Sequence, residues 1–142
     1  MIDIKELMVG DWVDRSGTPP YYKVIGINSK TTEVLISQSG NDDETRKICW
    51  NDKLDPIPIT PEILEKNGFK RTELCYEYRE KLGGYMGQAV SLTTPAEIIY
   101  TDEGHCIVSN PHIGRVFQGS VDHVHELQHI IKSCELSKEI KL

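Results

Sequence analysis

A chain of 142 residues, 38% hydrophobic and 27% charged, is long enough for one ordinary domain or two small ones sharing a core, and too apolar to be disordered. No apolar run approaches the roughly 18 residues of a membrane span, and the opening MIDIKELMVG lacks the apolar stretch of a signal peptide, so the expected location is cytoplasmic. The net charge of −6 is evenly spread: residues 1–58 carry 7 Lys/Arg against 10 Asp/Glu and residues 59–142 carry 9 against 12, so neither half has the basic excess that sequence-independent nucleic-acid binding requires.

The first 58 residues read as short strands separated by turns. DWV precedes the turn DRSGTPP. YYKVIGI follows, with Tyr22, Val24 and Ile27 as core residues and a bulge expected at Gly26. TEVLIS is the next strand, and the polar tip QSGNDDET turns the chain back into RKICW. Strands this short, spaced about ten residues apart, predict a small antiparallel barrel of SH3-like type. Asp42, Asp43 and Glu44 read as a solvated hairpin end, since the glycine and distal glutamate of a calcium loop are missing.

LDPIPITPEILEKNGFK is the clearest local signal. Pro56 and Pro58 hold the chain extended, Thr60 is placed as an N-cap, and Pro61 suits the first helical position. Ile63 and Leu64 give a short apolar face; Gly68 can take the left-handed position after the helix, with Phe69 folding back. The spacing predicts a two-turn linking helix. From Leu74 strands resume as LCYEYRE, a tip KLGGYMGQ, AVSLTT, EIIYTDE, a turn at Gly104, HCIVSN and IGRVFQ. Alternation in CYEYRE sets Cys75, Glu77 and Arg79 on one face and Tyr76 and Tyr78 on the other. Cys49, Cys75, Cys106 and Cys134 lie 26 to 31 residues apart, too far for a zinc knuckle or redox pair, and read as buried free thiols in a reducing compartment.

The last element starts at Ser120 or Asp122, either of which can cap it. Val121, Val124, Leu127, Ile131 and Cys134 have the spacing of a helix packed on a sheet. Within it, His125-Glu126-Leu127-Gln128-His129 matches H-E-x-x-H, the spacing by which two histidines on one helical face bind zinc with the glutamate as general base. On a wheel of about 100° per residue both histidines fall on the side away from the apolar arc, with Asp122 beside them. A third ligand would have to come from upstream, from His105, His112 or Asp122. The expectation is therefore no metal and no catalytic residue. The alternative is a zinc-dependent metallohydrolase with His125, His129 and Asp122 as ligands and Glu126 as base.

Two stretches, LDPIPITPEILEKNGF after a GDWV…YKVIGI opening and the C-terminal VHELQHIIKSCELSKEI, resemble a pattern in small uncharacterised proteins of Bacteroides-group bacteria, their phages and mobile elements. They cover about half the chain and leave the middle sheet region uncovered. The resemblance implies no established activity. It implies a phage or prophage setting, in which small non-enzymatic proteins inhibit or sequester host factors.

The combined expectation is an α+β protein: an SH3-like β-barrel over residues 1–58, then a unit over 59–142 in which a short linking helix leads to a second antiparallel sheet covered by the C-terminal helix. Its expected function is non-catalytic binding of a host protein or a small nucleotide-like ligand, without cofactor, with a homo-oligomer open. The contact candidates are the basic side chains Arg79, Lys81 and Arg115 and the aromatics Trp12, Trp50 and Tyr85, because a large ring with a polar tip serves contact well.

Overall fold

The computed structural model describes residues 1–40, 44–80 and 95–142. The chain divides into two compact units: Met1–Pro58 with His123–His125 and Leu142, and Ile59–Asp122 with Glu126–Lys141. The fold is α+β. The acidic tip at Asp42 and Asp43, the tip KLGGYMGQ with Lys81 and Tyr85, and the strand expected at AVSLTT lie outside the described residues.

In the first unit, strands β1 (Trp12–Val13), β2 (Tyr22–Asn28), β3 (Glu33–Ser37) and β4 (Lys47–Trp50) form one antiparallel sheet in that order, curled into a half-barrel. Alternation decides which side chains turn inward. Tyr22, Val24, Val34, Ile36 and Cys49 join Ile2, Leu7, Val13 and Leu54 in one core. The register slips between Val24 and Gly26, so Ile27 stands opposite Val34 and packs against the core. That bulge is the one expected from Gly26, and it resets the period of two. β1 is too short to close the sheet along its length. Instead the chain beyond it makes one bridge, in which Asp14 and Asp55 exchange backbone bonds of 2.9 and 2.8 Å.

The second unit opens with helix α1 (Pro61–Lys66). Thr60 caps it by accepting from the Ile63 amide at 3.3 Å. Gly68 takes the left-handed conformation at φ 84°, and the Phe69 amide returns to the Leu64 carbonyl at 3.0 Å. Phe69 is buried, its ring 5.5 Å from that of Tyr78. Strands β5 (Lys70–Arg71), β6 (Cys75–Glu80), β7 (Ala96–Thr101), β8 (His105–Asn110) and β9 (Arg115–Ser120) form an antiparallel sheet in sequence order. Tyr76, Ala96, Ile98, Tyr100, Cys106 and Val108 are its buried side. Cys75, Glu77 and Arg79 pair with Thr101, Ile99 and Glu97 on the opposite side, as the alternation in CYEYRE requires. Cys75 is for that reason half-buried and does not meet the expectation of a buried thiol, whereas Cys49, Cys106 and Cys134 are buried.

Helix α2 spans Val124–Ser133. It starts later than the sequence indicated: Ser120 ends β9, and Asp122 lies ahead of the first turn. The backbone bond from Val124 to the Ile57 carbonyl (2.9 Å) and the Pro58–His123 bridge hold this stretch extended instead. Val124, Leu127 and Ile131 are buried, as the periodicity demands. Beyond the helix Glu135 adopts φ 55°, and the Leu136 amide donates to the Ile131 carbonyl at 3.2 Å. Arg115 donates to the Ser133 carbonyl at 2.7 Å and Asn110 to that of Cys134 at 3.0 Å, fastening the end of α2 to the second sheet.

Candidate functional site

β4 carries the clearest unsatisfied chemistry among the described residues. It pairs with β3 through Trp50–Glu33, Cys49–Val34, Ile48–Leu35 and Lys47–Ile36, and no other strand pairs with it there. The Asn51 amide donates to the Thr32 carbonyl at 3.1 Å. Bonded pairs alternate along an antiparallel ladder, so Cys49 and Lys47 also turn their backbone groups toward β3. Ile48 and Trp50 therefore direct their N–H and C=O groups outward, at the sheet's edge. Their side chains leave the outer face, where Ile48 is 70% and Trp50 52% exposed. Beside them Gly26, Ile27, Asn28, Glu33, Leu35 and Ile48 line a shallow groove of about 270 Å³. An exposed edge with apolar side chains is normally guarded by charge or a covering segment. Here the adjoining Arg46 and Lys47 supply the charge, and no described segment pairs with Ile48 and Trp50 on that side.

The other contact candidates take up different roles. Trp12 is only 9% exposed, with the Lys23 ammonium 5.2 Å from its ring centre. Arg79 lies on the open side of the second sheet, 3.3 Å from Glu97 and 3.9 Å from Glu77. Arg115 is occupied at the end of α2 and pairs with Glu135 at 3.7 Å. The structure thus leaves Trp50 on an open apolar surface and joins to it Ile48 and Leu35, which sequence reading missed. Their signal was present: alternation around Cys49 in RKICW puts Ile48 and Trp50 on the face opposite the core.

A second concavity, also about 270 Å³, lies in the other unit and is lined by Thr60, Tyr76, Tyr100, Asp102, Glu103 and Asp122 among others. Arg71 grips Asp102 with both guanidinium nitrogens and lies 5.0 Å over the Tyr76 ring. That contact holds the Asp102 carboxyl below its usual range. Tyr100 donates to the Val121 carbonyl at 2.7 Å, and burial, followed by the nearby Asp122 charge, pushes its phenol up to about 12. A phosphate-bearing ligand here would face three carboxylates, so this pocket does not suit the nucleotide-like alternative.

The H-E-x-x-H segment departs from its wheel. His125 is buried at 4% exposure with its Nδ1 fully enclosed, not turned to water, whereas His129 is half-buried. The wheel took the helix by itself. Its first turn is bonded to the Ile57 strand segment as well, and His125 groups with the first unit. The Glu126 carboxylate accepts the Asp122 amide at 3.0 Å, a bond that organises the helix start. Among the described residues no group of three or more His, Cys, Asp or Glu side chains converges as a metal site. No protein-family model matches the chain, and no match to it was found among the curated proteins or the solved structures.

Proposed function

We propose that the protein is a non-catalytic interaction module that binds a protein partner along β4 and the outer face of the first sheet, adding a strand to the half-barrel. One observation carries the reading: Ile48 and Trp50 combine outward backbone groups with exposed apolar side chains on one short edge. Strand addition uses both parts, main-chain bonds for affinity and alternate side chains for specificity. The half-barrel is read as SH3-like, and the module as cytoplasmic and working without a cofactor. The resemblance to small proteins of Bacteroides-group bacteria, their phages and mobile elements supports a mobile-element origin, with sequestration of a host protein as the mode of action. The acidic balance argues against nucleic acid as the partner.

The test is capture of proteins from a Bacteroides-group extract on the immobilised full chain, run beside Trp50→Ala. A protein held by the unaltered chain and reduced about tenfold on the variant is expected for an anchor residue of this kind. Identical captured sets on both chains would count against the reading.

A further inference from the structure

We infer that Leu136–Lys141, the stretch after α2, is a releasable strap that opens as one unit about Glu135 while the rest of the second unit stays folded. The stretch forms neither helix nor strand, so no ladder of backbone bonds holds it. Two side chains clasp it instead, one near each end. The Glu80 carboxylate, at the end of β6, accepts the Ser137 amide at 3.0 Å and the Ser137 hydroxyl at 2.5 Å. The side-chain amide of Asn67, just past α1, takes both backbone groups of Lys141. Its oxygen accepts the N–H at 2.7 Å, and its nitrogen donates to the C=O at 2.8 Å. Between the clasps the Lys138 ammonium lies 5.2 Å from the centre of the Tyr78 ring, and Leu136 and Ile140 are buried. The strap is held as a bound peptide is held, by polar groups on its backbone and by apolar side chains.

The fastenings of α2 are separate. Arg115 and Asn110 hold the Ser133 and Cys134 carbonyls, so departure of the strap leaves the helix end in place. Glu135 lies between the two sets of bonds at φ 55°, a costly position for an L side chain, and rotation there frees the strap without disturbing either neighbour. Opening admits water to the buried Asn67 and Glu80 groups, so neither is left unsatisfied. Asn67 also donates to the Ile63 carbonyl at 2.8 Å, which keeps its amide oriented for return. Only three residues separate Ser137 from Lys141, so each clasp holds the other's partner within reach and loss of one weakens the other. A segment without ladder bonds, hinged beside a fixed helix end, opens well below the free energy of global unfolding.

The test is amide hydrogen exchange of the full chain, followed by NMR at Ser137 and Lys141 and at the slowest amides of β7 and β8. Circular dichroism checks that each variant is folded. Ser137 and Lys141 are expected to share one level of protection, about a hundredfold below the slowest amides and hardly changed by low urea, because little surface opens. Ser137→Ala removes the hydroxyl donor at an exposed position and should speed exchange at Lys141 about fivefold; Asn67→Ala should speed Ser137 about tenfold. Neither should alter β7 and β8. Should Asn67→Ala fail to fold, Ser137→Ala decides alone. Ser137 and Lys141 sharing the protection and urea dependence of β7 and β8 overturns release of the strap. A Lys141 amide indifferent to Ser137→Ala overturns its opening as one unit.

Discussion

Among the described residues two that are not glycine hold a left-handed backbone, Thr32 at φ 60° and, at the end of a helix, Glu135. The latter sits just past α2 at φ 55°, a conformation that L side chains adopt at a cost and glycine does not. Its ion pair with Arg115 offsets little, because both side chains are more than half exposed. Glu135→Gly is therefore expected to raise stability by about 0.5 to 1 kcal/mol, read as a higher urea midpoint at unchanged slope. A lower midpoint would mean that the Arg115 contact outweighs the strain. Single residues were unevenly legible in the sequence. Gly68 declared its left-handed position because it follows a capped helix, whereas nothing local marks Glu135. His125 misled for a related reason. Its wheel position takes the helix by itself, whereas the Val124 amide at the helix start is tied to the carbonyl of Ile57, 67 residues earlier.

At the scale of elements, α1 is the best specified. Six residues are too few to hold a helix by propensity alone, so its ends matter more than its middle. Removing the cap with Thr60→Ala should cost about 1 kcal/mol, and Thr60→Ser should restore most of it, as measured by denaturant unfolding. Equal stability of the alanine and serine variants would show the cap to be idle. Both ends of α1 could be read in PITPEILEKNGF because capping chemistry is local. The strands of the first sheet were legible for a similar reason, alternation within each run. β5 was not, since two residues carry no period and Lys70 and Arg71 become a strand only by pairing with Glu77 and Tyr76. Edge status is equally invisible locally: RKICW shows which face Trp50 takes, and only the strand order shows that β4 is the last strand of its sheet among the described residues.

For the whole molecule, the second unit has a built-in sensitivity to alkali. Burial lifts the Cys106 thiol from an ordinary 9.0 to about 12, and Tyr100 is raised in the same direction. A thiol whose folded pKa is raised keeps its proton longer in the native state, so its contribution is complete below pH 9 and lost as pH climbs toward 12. Stability should fall across that window with a slope of up to about 1.4 kcal/mol per pH unit from the thiol. Cys106→Ala should flatten the curve in urea melts taken at successive pH values, and an unchanged slope would place the titration elsewhere. The α+β class and the two successive sheets followed from short alternating runs and one terminal amphipathic helix. What surrounds each sheet did not, because it depends on meetings between distant segments.

The stitch between Asp14 and Asp55 bears on what happens when molecules meet in concentrated solution. A curled sheet with two bare rims can recruit neighbours without limit and grow into fibres. In the first sheet one rim is pinned by that stitch, and β1 beyond it is a mere two residues long. Among the described residues, stacking through this sheet is therefore restricted to the β4 rim and cannot propagate from both sides.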